Sequence, residues 1–448
     1  MKPALKNGLL LTTAIGMVPL AMALPLPMAL PTRIGTGIFL LALLLWVTEA
    51  IPLYVTSFLI LFFQAALLAP ALHISHAPFL APFFSDIIAL FLGGLLLAEA
   101  GHKYRIDEWF AEMILKGAGS RPAHVLLALM LTTAFLSMWM SNTATTAMML
   151  LIVGAIAGPL GPGHPFAKAF FLGIPFAANL GGMMTPVGTP PNAIAMQAIN
   201  NHFPGSMTFL KWMAVSCPIV ILLLVLLWGL LLILYPPPQT AIATHPGFHI
   251  DLNRATLMVI AVFHITALLW LTSSLHGLSP GTVALIPAII FLSLGILDKH
   301  DFKRISWDVL FLVGGGLALS AGMDKSGLND FLVQTIPFAK LSPLALLVVF
   351  ILTGAILTTF MSNTATANLI IPLTFIIPAI PGPSLAVCVA LVVSSTMILP
   401  VSTPPNAIAY GSGIVTMKEM ALAGFLISLF SALLMMSLGS WWWKLLGL

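Results

Sequence analysis

Residues 141–152 read SNTATTAMMLLI, and residues 362–373 read SNTATANLIIPL. A second pair of stretches follows them, GTPPNAIA at 188–195 and STPPNAIA at 402–409. Each stretch places polar residues or paired prolines inside sequence that is otherwise strongly apolar. Backbone that leaves the helix inside a lipid bilayer is tolerated only where it is buried in protein or lines a wet cavity. The duplicated interruptions therefore predict one composite site within the depth of a membrane.

The composition supports a membrane location. Of the 448 residues, 60% are hydrophobic and 7% are charged, and the mean hydropathy is +1.09. Soluble domains carry about 25% charged residues. The net charge of +4 comes from basic residues scattered between apolar runs, a pattern of membrane insertion rather than of nucleic-acid binding. Cys217 and Cys388 lie in apolar runs and are interpreted as core residues, not as a disulfide or metal pair.

An internal duplication organises the chain. The two SNT motifs lie 221 positions apart, as do the final glycines of FLGGLLLAEAG at 91–101 and LVGGGLALSAG at 312–322. The TPPNA motifs lie 214 positions apart, so the second copy is seven residues shorter between its motifs. Three motifs in one order at nearly one offset indicate a repeat.

The apolar runs predict an all-α membrane protein with eleven transmembrane helices, two re-entrant hairpins and two broken helices. The arms around the first SNT, about 123–140 and 144–158, are near or below the ~17 residues that cross a bilayer, which favours a hairpin. The predicted divisions are a first span at 1–32, a first repeat at 33–235, a cytoplasmic linker at 236–253 and a second repeat at 254–448. The hairpins are placed at about 122–160 and 341–381, and the broken helices at about 166–200 and 383–412.

The orientation follows from the span count and the charges. Each repeat holds five spans, an odd number, so the second repeat is expected to insert upside down relative to the first, as in inverted-repeat transporters. With the N-terminus inside, inner segments hold 12 of the 17 basic residues, among them a polar loop with Lys103, Arg105, Lys116 and Arg121. This excess predicts the N-terminus inside and the C-terminus outside. The first apolar run lacks a convincing cleavage site and is interpreted as a retained span.

The interruptions supply two opposite kinds of ligand. Backbone carbonyls freed near Pro190 and Pro404, with the hydroxyls of Ser141, Ser362, Ser137 and Thr358, suit a hard cation such as sodium. The second arm of each hairpin begins just after SNT, so its N-terminal N–H groups and dipole attract an anion. Asn142, Thr143, Asn363 and Thr364 add donors for carboxylates. Neither motif holds a Lys or Arg, so sodium would have to offset much of a dianion's charge.

Each motif alone has a simpler interpretation. A single SNT in a membrane helix is more often a contact between helices, and a single Pro-Pro is more often a kink. Glu49, an acid beside a span end, is assigned a structural role. The duplication of both motifs at matched offsets favours function instead.

These residues resemble the divalent anion/sodium symporter family, whose members carry dicarboxylates, citrate or sulfate. The likeness rests on both SNT motifs, GTPPNA, STPPNA and WVTEAIPL at 46–53, and extends from about residue 40 to the end. It implies a sodium/dicarboxylate transporter of a bacterial inner membrane, carrying succinate, malate or fumarate. It also implies a homodimer that works as an elevator, with no organic cofactor.

The resemblance also implies functional residues, which are assigned motif by motif. One sodium site would involve Ser137, Ser141, Asn142 and Gly188, and the other Thr358, Asn363, Ser402 and the Met361 carbonyl. Substrate would contact Asn142, Thr143, Thr189, Pro190, Asn363, Thr364, Thr403 and Pro404. Asn192 and Asn406 would support these residues.

Several alternatives stay open. A sodium-independent dicarboxylate exchanger, or a sodium-coupled carrier of citrate or sulfate, would share these motifs. A membrane-embedded enzyme is disfavoured because the sequence has no HExxH, no GxSxG and no paired aspartates at span centres. A purely structural membrane protein does not account for two polar motifs at lipid depth.

Overall fold

The computed structural model describes residues 3–25, 27–157, 160, 164–242, 251–335, 341–377 and 379–448, with side chains from residue 7 onward. Lys2 and Lys340 of the charge count, residues 158–159 of the predicted first hairpin and residues 243–250 of the predicted linker lie outside these ranges. Within them the chain is helical and contains no β-strand.

The helices fall into two successive series. The first holds α1 (Pro3–Ala23), α2 (Leu30–Thr48), α3 (Leu53–Phe63), α4 (Ala69–Ala71), α5 (Ala77–Leu80), α6 (Asp86–Lys103), α7 (Ile106–Gly117), α8 (Pro122–Ser137), α9 (Asn142–Ala157), α10 (Pro165–Gly182), α11 (Pro190–His202) and α12 (Phe209–Leu234). The second holds α13 (Arg254–Leu271), α14 (Ser273–His276), α15 (Pro280–Ser293), α16 (Lys299–Arg304), α17 (Trp307–Lys325), α18 (Leu328–Thr335), α19 (Pro343–Phe360), α20 (Asn363–Ile370), α21 (Gly382–Ser395), α22 (Pro404–Gly411), α23 (Met417–Leu434) and α24 (Ser440–Leu445).

Eight helical segments in the described ranges are long and apolar enough to cross a membrane. They include α2, α12, α13, α17 and α19 and three segments that continue through π- or 3₁₀-helical turns, Leu53–Ala71, Ala77–Lys103 and Met417–Leu445. Six further apolar helices in these ranges are shorter, and they include both arms of the first hairpin. The chain is therefore an all-helical membrane protein, and the eleven-span count stays a prediction.

Local chemistry sets the ends of the spans. α12 begins after Thr208, whose Oγ1 accepts the N–H of Lys211 at 3.1 Å, and it ends before the prolines at 236–238, which cannot continue a helix. α23 begins with a capping box, in which Thr416 and Glu419 each accept the other's backbone N–H.

Equivalent helices of the two halves exchange packing partners. α6 packs against α15, and its counterpart α17 packs against α3. Likewise α9 contacts α22, and α20 contacts α11. The helices approach closely at glycines, because a Cβ on Gly93 would lie 2.1 Å from Ala284 O, and a Cβ on Gly315 would lie 2.1 Å from Ser57 Oγ. This reciprocal pairing is what a two-fold relation produces, and it places the hairpin of each half against the broken helix of the other.

The duplication also reaches a segment that the sequence comparison did not use. Trp46 Nε1 donates to Leu53 O at 3.2 Å, and Trp270 Nε1 donates to Pro280 O at 2.9 Å. Both indoles are buried, and both tie the end of one span to the start of the next. The short WVT and WLT sequences at these positions carry too little similarity to be noticed alone.

Among the described residues three ion pairs join the halves, one of them the longer contact of 3.8 Å between Arg304 Nε and Glu99 Oε1. Lys103 Nζ lies 2.6 Å from Asp301 Oδ2, and Lys168 Nζ lies 2.6 Å from Glu419 Oε1. The segments joined by each pair are ones that the charge pattern assigns to the same side of the membrane.

The polar loop before the first hairpin contains a helix that the sequence analysis did not predict. α7 buries Asp107, Ala111 and Leu115, which are spaced four residues apart and so lie on one face. The charged residues of α7 make this buried face hard to recognise in the sequence, and its 12 residues are too few to cross the bilayer.

Candidate functional site

Each hairpin turns sharply at its SNT motif. In the first hairpin α8 ends at Ser137 and α9 begins at Asn142, and in the second α19 ends at Phe360 and α20 begins at Asn363. The Ser362 hydroxyl caps α20 by accepting the Ala365 N–H at 3.2 Å. The sequence therefore places a polar helix start at the tip of each hairpin.

Each broken helix is interrupted before its prolines rather than at them. α10 ends at Gly182 and α11 begins at Pro190, while α21 ends at Ser395 and α22 begins at Pro404. Both prolines occupy the first helical position, where a missing N–H and a fixed φ angle are favourable. These prolines were expected to break a helix, but they instead start the second half of each broken helix. The break covers seven residues at 183–189 and eight at 396–403, and the second includes a 3₁₀ turn at Pro400–Ser402.

The four interruptions surround one cavity of about 640 Å³. Most of the site residues predicted from the sequence line it. They are Ser141, Asn142, Thr143, Gly188, Thr189, Pro190, Asn363, Thr364, Ser402, Thr403 and Pro404. The remaining three, Ser137, Thr358 and Met361, are buried and do not line it.

The helices that follow the four interruptions, α9, α11, α20 and α22, begin at the cavity wall, and α3 also begins there at Leu53. Their first residues line the cavity. A helix N-terminus carries roughly half a positive charge and unpaired N–H groups. The sequence analysis expected this at the hairpins alone. Helices α11 and α22 add their dipoles but not unpaired N–H groups of their first turn, because each begins with two prolines and the N–H of the following Asn192 or Asn406 is already bonded.

A cluster of oxygens lies behind the first hairpin tip. Ser137 Oγ lies 2.5 Å from Asn142 Oδ1 and 2.8 Å from Ala178 O. A single hydroxyl proton can serve only one of these two acceptors. Three closely spaced oxygens that share one proton are suitable ligands for a hard cation.

The second hairpin repeats this cluster. Thr358 Oγ1 lies 2.6 Å from Asn363 Oδ1 and 3.4 Å from Val393 O. In both copies the hydroxyl lies five residues before the asparagine, and it holds the amide oxygen. Among the described residues neither amide nitrogen has a hydrogen-bond partner, and both asparagines line the cavity. Each amide therefore keeps two N–H donors for a ligand.

Two buried asparagines hold the non-helical backbone. Asn192 Nδ2 donates to Gly182 O at 2.9 Å and to Thr185 O at 2.7 Å. Asn406 Nδ2 donates to Met397 O at 2.9 Å and to Leu399 O at 3.1 Å. Several carbonyls released by the breaks are thus already satisfied and are not open to a cation.

Helix α12 satisfies further carbonyls of the first break. Trp212 Nε1 donates to Met183 O at 3.1 Å, and Ser216 Oγ donates to Met184 O at 3.1 Å. Buried backbone groups normally find such partners. The breaks are therefore well-defined parts of the fold, in which buried backbone carbonyls have hydrogen-bond partners.

The sequence analysis missed four polar residues on the cavity wall, which are Glu49, Asn179, Ser306 and Asp308. Asn179 is buried, and its Nδ2 donates to Thr403 Oγ1 at 3.0 Å and lies 3.4 Å from Asn406 Oδ1. Glu49 and Asp308 are exposed acids that line the same cavity. Glu49, assigned only a structural role, has a left-handed backbone (φ 46°), which is uncommon for a non-glycine residue.

We expect Asn179→Val to raise the succinate concentration for half-maximal uptake by about three- to tenfold, because Thr403 loses a buried donor. Valine removes the amide donor and leaves an apolar side chain at this buried position. Initial uptake rates at varied succinate concentrations measure the effect. The exposed residue Asn201 provides the matched control, Asn201→Val, and equal kinetics in both variants would remove Asn179 from the site.

A comparison with known families places this cavity in context. A family model described as the sodium:sulfate symporter transmembrane region matches residues 4–448. The chain belongs to this family. The resemblance to divalent anion/sodium symporters is thereby confirmed, and the protein is a membrane transporter rather than an enzyme.

Curated relatives agree with this membership. The chain is 35% identical over 436 residues to an uncharacterized transporter of Haemophilus influenzae, with 92% of each chain covered. It is 34% identical to the sodium-dependent dicarboxylate transporter SdcS of Staphylococcus saprophyticus, covering 92% of this chain and 88% of that protein. Identity to SdcS of Staphylococcus aureus is 32%, with 91% and 86% covered.

A solved structure shares the fold of this family member. The YdaH transporter of Alcanivorax borkumensis superimposes with a TM-score of 0.53 over 93% of this chain and 98% of that one. The sequence identity is 14%, so this likeness concerns the fold alone.

Proposed function

We propose that this transporter carries small dicarboxylates such as succinate, malate and fumarate across the membrane together with sodium ions. The proposal rests on the convergence of four helix N-termini on one cavity, with an oxygen cluster behind each hairpin tip. The N-termini favour an anion, and the clustered oxygens favour a hard cation. The names of the SdcS relatives support the same assignment.

The substrate would lie between the two hairpin tips. Each carboxylate would meet one amide N–H₂ group and the N–H groups of the adjoining helices, since charge-assisted hydrogen bonds of this kind are the strong ones. The substrate residues are Asn142, Thr143, Thr189, Pro190, Asn363, Thr364, Thr403 and Pro404, all of which line the cavity.

Each oxygen cluster would hold one sodium ion. Site one consists of Ser137, Ser141, Asn142 and Gly188, and site two of Thr358, Met361, Asn363 and Ser402. The Ser402 hydroxyl already bonds to Leu399 N and Thr359 O, so its backbone carbonyl is the proposed ligand. Because one asparagine amide serves each ion through its oxygen and the substrate through its nitrogen, ion and substrate would organise the same side chain.

The charge of the cavity explains the coupling. The described lining residues include Glu49 and Asp308 and no Lys, Arg or His. Such a wall attracts cations and repels a dianion. Sodium binding would offset this repulsion, and for this reason the anion would bind well only together with its cations.

The transport cycle proposed is an elevator in a homodimer. The hairpins and broken helices pack on one another across the two halves, which suits a unit that moves as one body. The remaining spans would form the scaffold and the dimer contact. The protein would lie in a bacterial inner membrane with its N-terminus inside, as the excess of basic residues on that side favours.

Uptake into proteoliposomes tests the function directly. We expect radiolabelled succinate to accumulate only with an inward sodium gradient, and unlabelled malate or fumarate to compete with it. Citrate and sulfate in the same assay distinguish the other anion classes. Uptake that is equal in potassium and sodium, or exchange of preloaded succinate in sodium-free vesicles, would contradict sodium coupling.

A further inference from the structure

One hydroxyl in each half joins the broken helix to the hairpin. In the first half Thr185 Oγ1 donates to Met138 O, near the end of the first hairpin arm, and accepts the N–H of Gly188 at 3.1 Å. In the second half Ser402 Oγ donates to Thr359 O at 3.2 Å and accepts the N–H of Leu399 at 3.0 Å. Thr185 and Ser402 are both buried.

The two joints are equivalent, although different residues make them. The acceptors Met138 and Thr359 are 221 positions apart, the offset of the hairpin tips. Thr185 corresponds to Leu399, and Gly188 to Ser402, at the 214-residue offset of the broken helices. In the first half the hydroxyl lies at the start of this four-residue turn and the N–H that it accepts at the end, whereas in the second half the two positions are exchanged.

Packing explains why the first half cannot use the arrangement of the second. A Cβ on Gly188 would lie 2.4 Å from Gly182 O and 2.9 Å from Gly182 Cα, so a serine there would clash with backbone. The hydroxyl must come from the other end of the turn, and Thr185 supplies it. The two halves make the same hydrogen bond between broken helix and hairpin with residues at different positions of the turn. This indicates that the bond itself matters and not the residue that makes it.

We propose that Thr185 and Ser402 are positioning residues that fix each broken helix on its hairpin tip and thereby set the apparent affinity for sodium. The inference rests on the proposed sodium sites, because Met138 and Thr359 lie within three residues of proposed ion ligands. A binding site must hold its groups within about 0.5 Å of the working geometry. Without the hydroxyl, a buried carbonyl loses its partner and the two ligand-bearing segments can separate.

The test compares variants with and without the hydroxyl. Thr185→Val and Ser402→Ala remove it, whereas Thr185→Ser and Ser402→Thr keep it. We expect the hydroxyl-free variants to need about tenfold more sodium for half-maximal succinate uptake, since an unpaired buried acceptor changes an equilibrium constant by a factor of about 5 to 150. Thr185→Ser, which keeps the hydroxyl, should stay within about threefold of the parent chain, as should Ser437→Ala, which removes an exposed hydroxyl. Ser402→Thr should need clearly less sodium than Ser402→Ala.

Sodium-induced thermal stabilisation in detergent provides a second readout that does not need transport. It should shrink in the hydroxyl-free variants only. Unchanged sodium dependence in Ser402→Ala, or equal losses with and without the hydroxyl, would overturn the inference. If Thr185→Val does not fold, Ser402→Ala and Ser402→Thr decide it. Failure of the proposed function looks different, because the parent chain itself would then show no sodium dependence.

Discussion

Sodium-dependent succinate uptake is expected to fall by about 100-fold or more in Asn142→Ala and in Asn363→Ala. Each amide oxygen is held by a hydroxyl, Ser137 Oγ at 2.5 Å in the first half and Thr358 Oγ1 at 2.6 Å in the second. The amide nitrogen is left facing the cavity as a donor. A hydrogen bond to a charged group contributes about 1.5–3 kcal/mol, and alanine would also remove an ion ligand. Losing both interactions gives the expected factor.

Asn201→Ala serves as the matched control because this asparagine is exposed on α11. Size-exclusion chromatography and thermal unfolding should show that all three variants fold as the parent chain does, since both cavity asparagines lie at helix starts and only partly buried. Uptake at the parental rate in both Asn142→Ala and Asn363→Ala would disprove the site assignment. Loss in only one of them would show that a single half binds the substrate.

The second large effect concerns folding rather than transport. We expect Asn406→Asp to reduce sharply the amount of folded protein and to lower its unfolding temperature. Asn406 is fully buried, donates to Met397 O and Leu399 O, and lies 3.4 Å from the Asn179 amide. Aspartate has the same shape but sets a buried carboxylate against two carbonyl oxygens. Each unsatisfied buried group costs about 1–3 kcal/mol, and an unpaired charge costs more.

Fluorescence-detected size exclusion of detergent extracts measures this effect. Asn192→Asp, in the first half, should behave in the same way because Asn192 Nδ2 holds two carbonyls of its own break. Asn201→Asp introduces the same charge at an exposed site and should extract normally. A parental elution profile and melting temperature for Asn406→Asp would show that the break does not depend on this side chain.

The sequence predicted the cavity walls well because both interruptions are duplicated. Polar residues and prolines at lipid depth are conspicuous in apolar sequence. The matched offsets also identify Asn142 and Asn363 as equivalent residues from the sequence alone. Within each hairpin the contacts are local, so a hydroxyl five residues before the asparagine could be assigned to the same group. The residues of the hairpin tips could therefore be predicted without knowing how the helices pack.

The residues that were missed reach the cavity from distant parts of the chain. Asn179 lies within the first half of a broken helix, outside the duplicated motifs, so the repeat did not mark it. Asp308 lies in the first turn of α17 and Glu49 directly follows α2, and only the packing of the halves brings them to the same wall. Likewise, Asn192, Trp212 and Ser216 donate hydrogen bonds to most of the carbonyls freed by the first break. These contacts depend on how the segments pack, which hydrophobic periodicity does not predict.

The exchange of partners between the halves bears on how the chain is made. Helices α3 and α6 enter the membrane long before α17 and α15, which pack closely against them at Gly315 and Gly93 respectively. At roughly 5–20 residues per second, the stretch from residue 103 to residue 325 takes on the order of 10–40 s to synthesise. Lipid tails are as apolar as leucine, so these bare faces cost little in the bilayer while they wait. The first half of the chain can therefore remain in the bilayer without its packing partners until the second half has been translated.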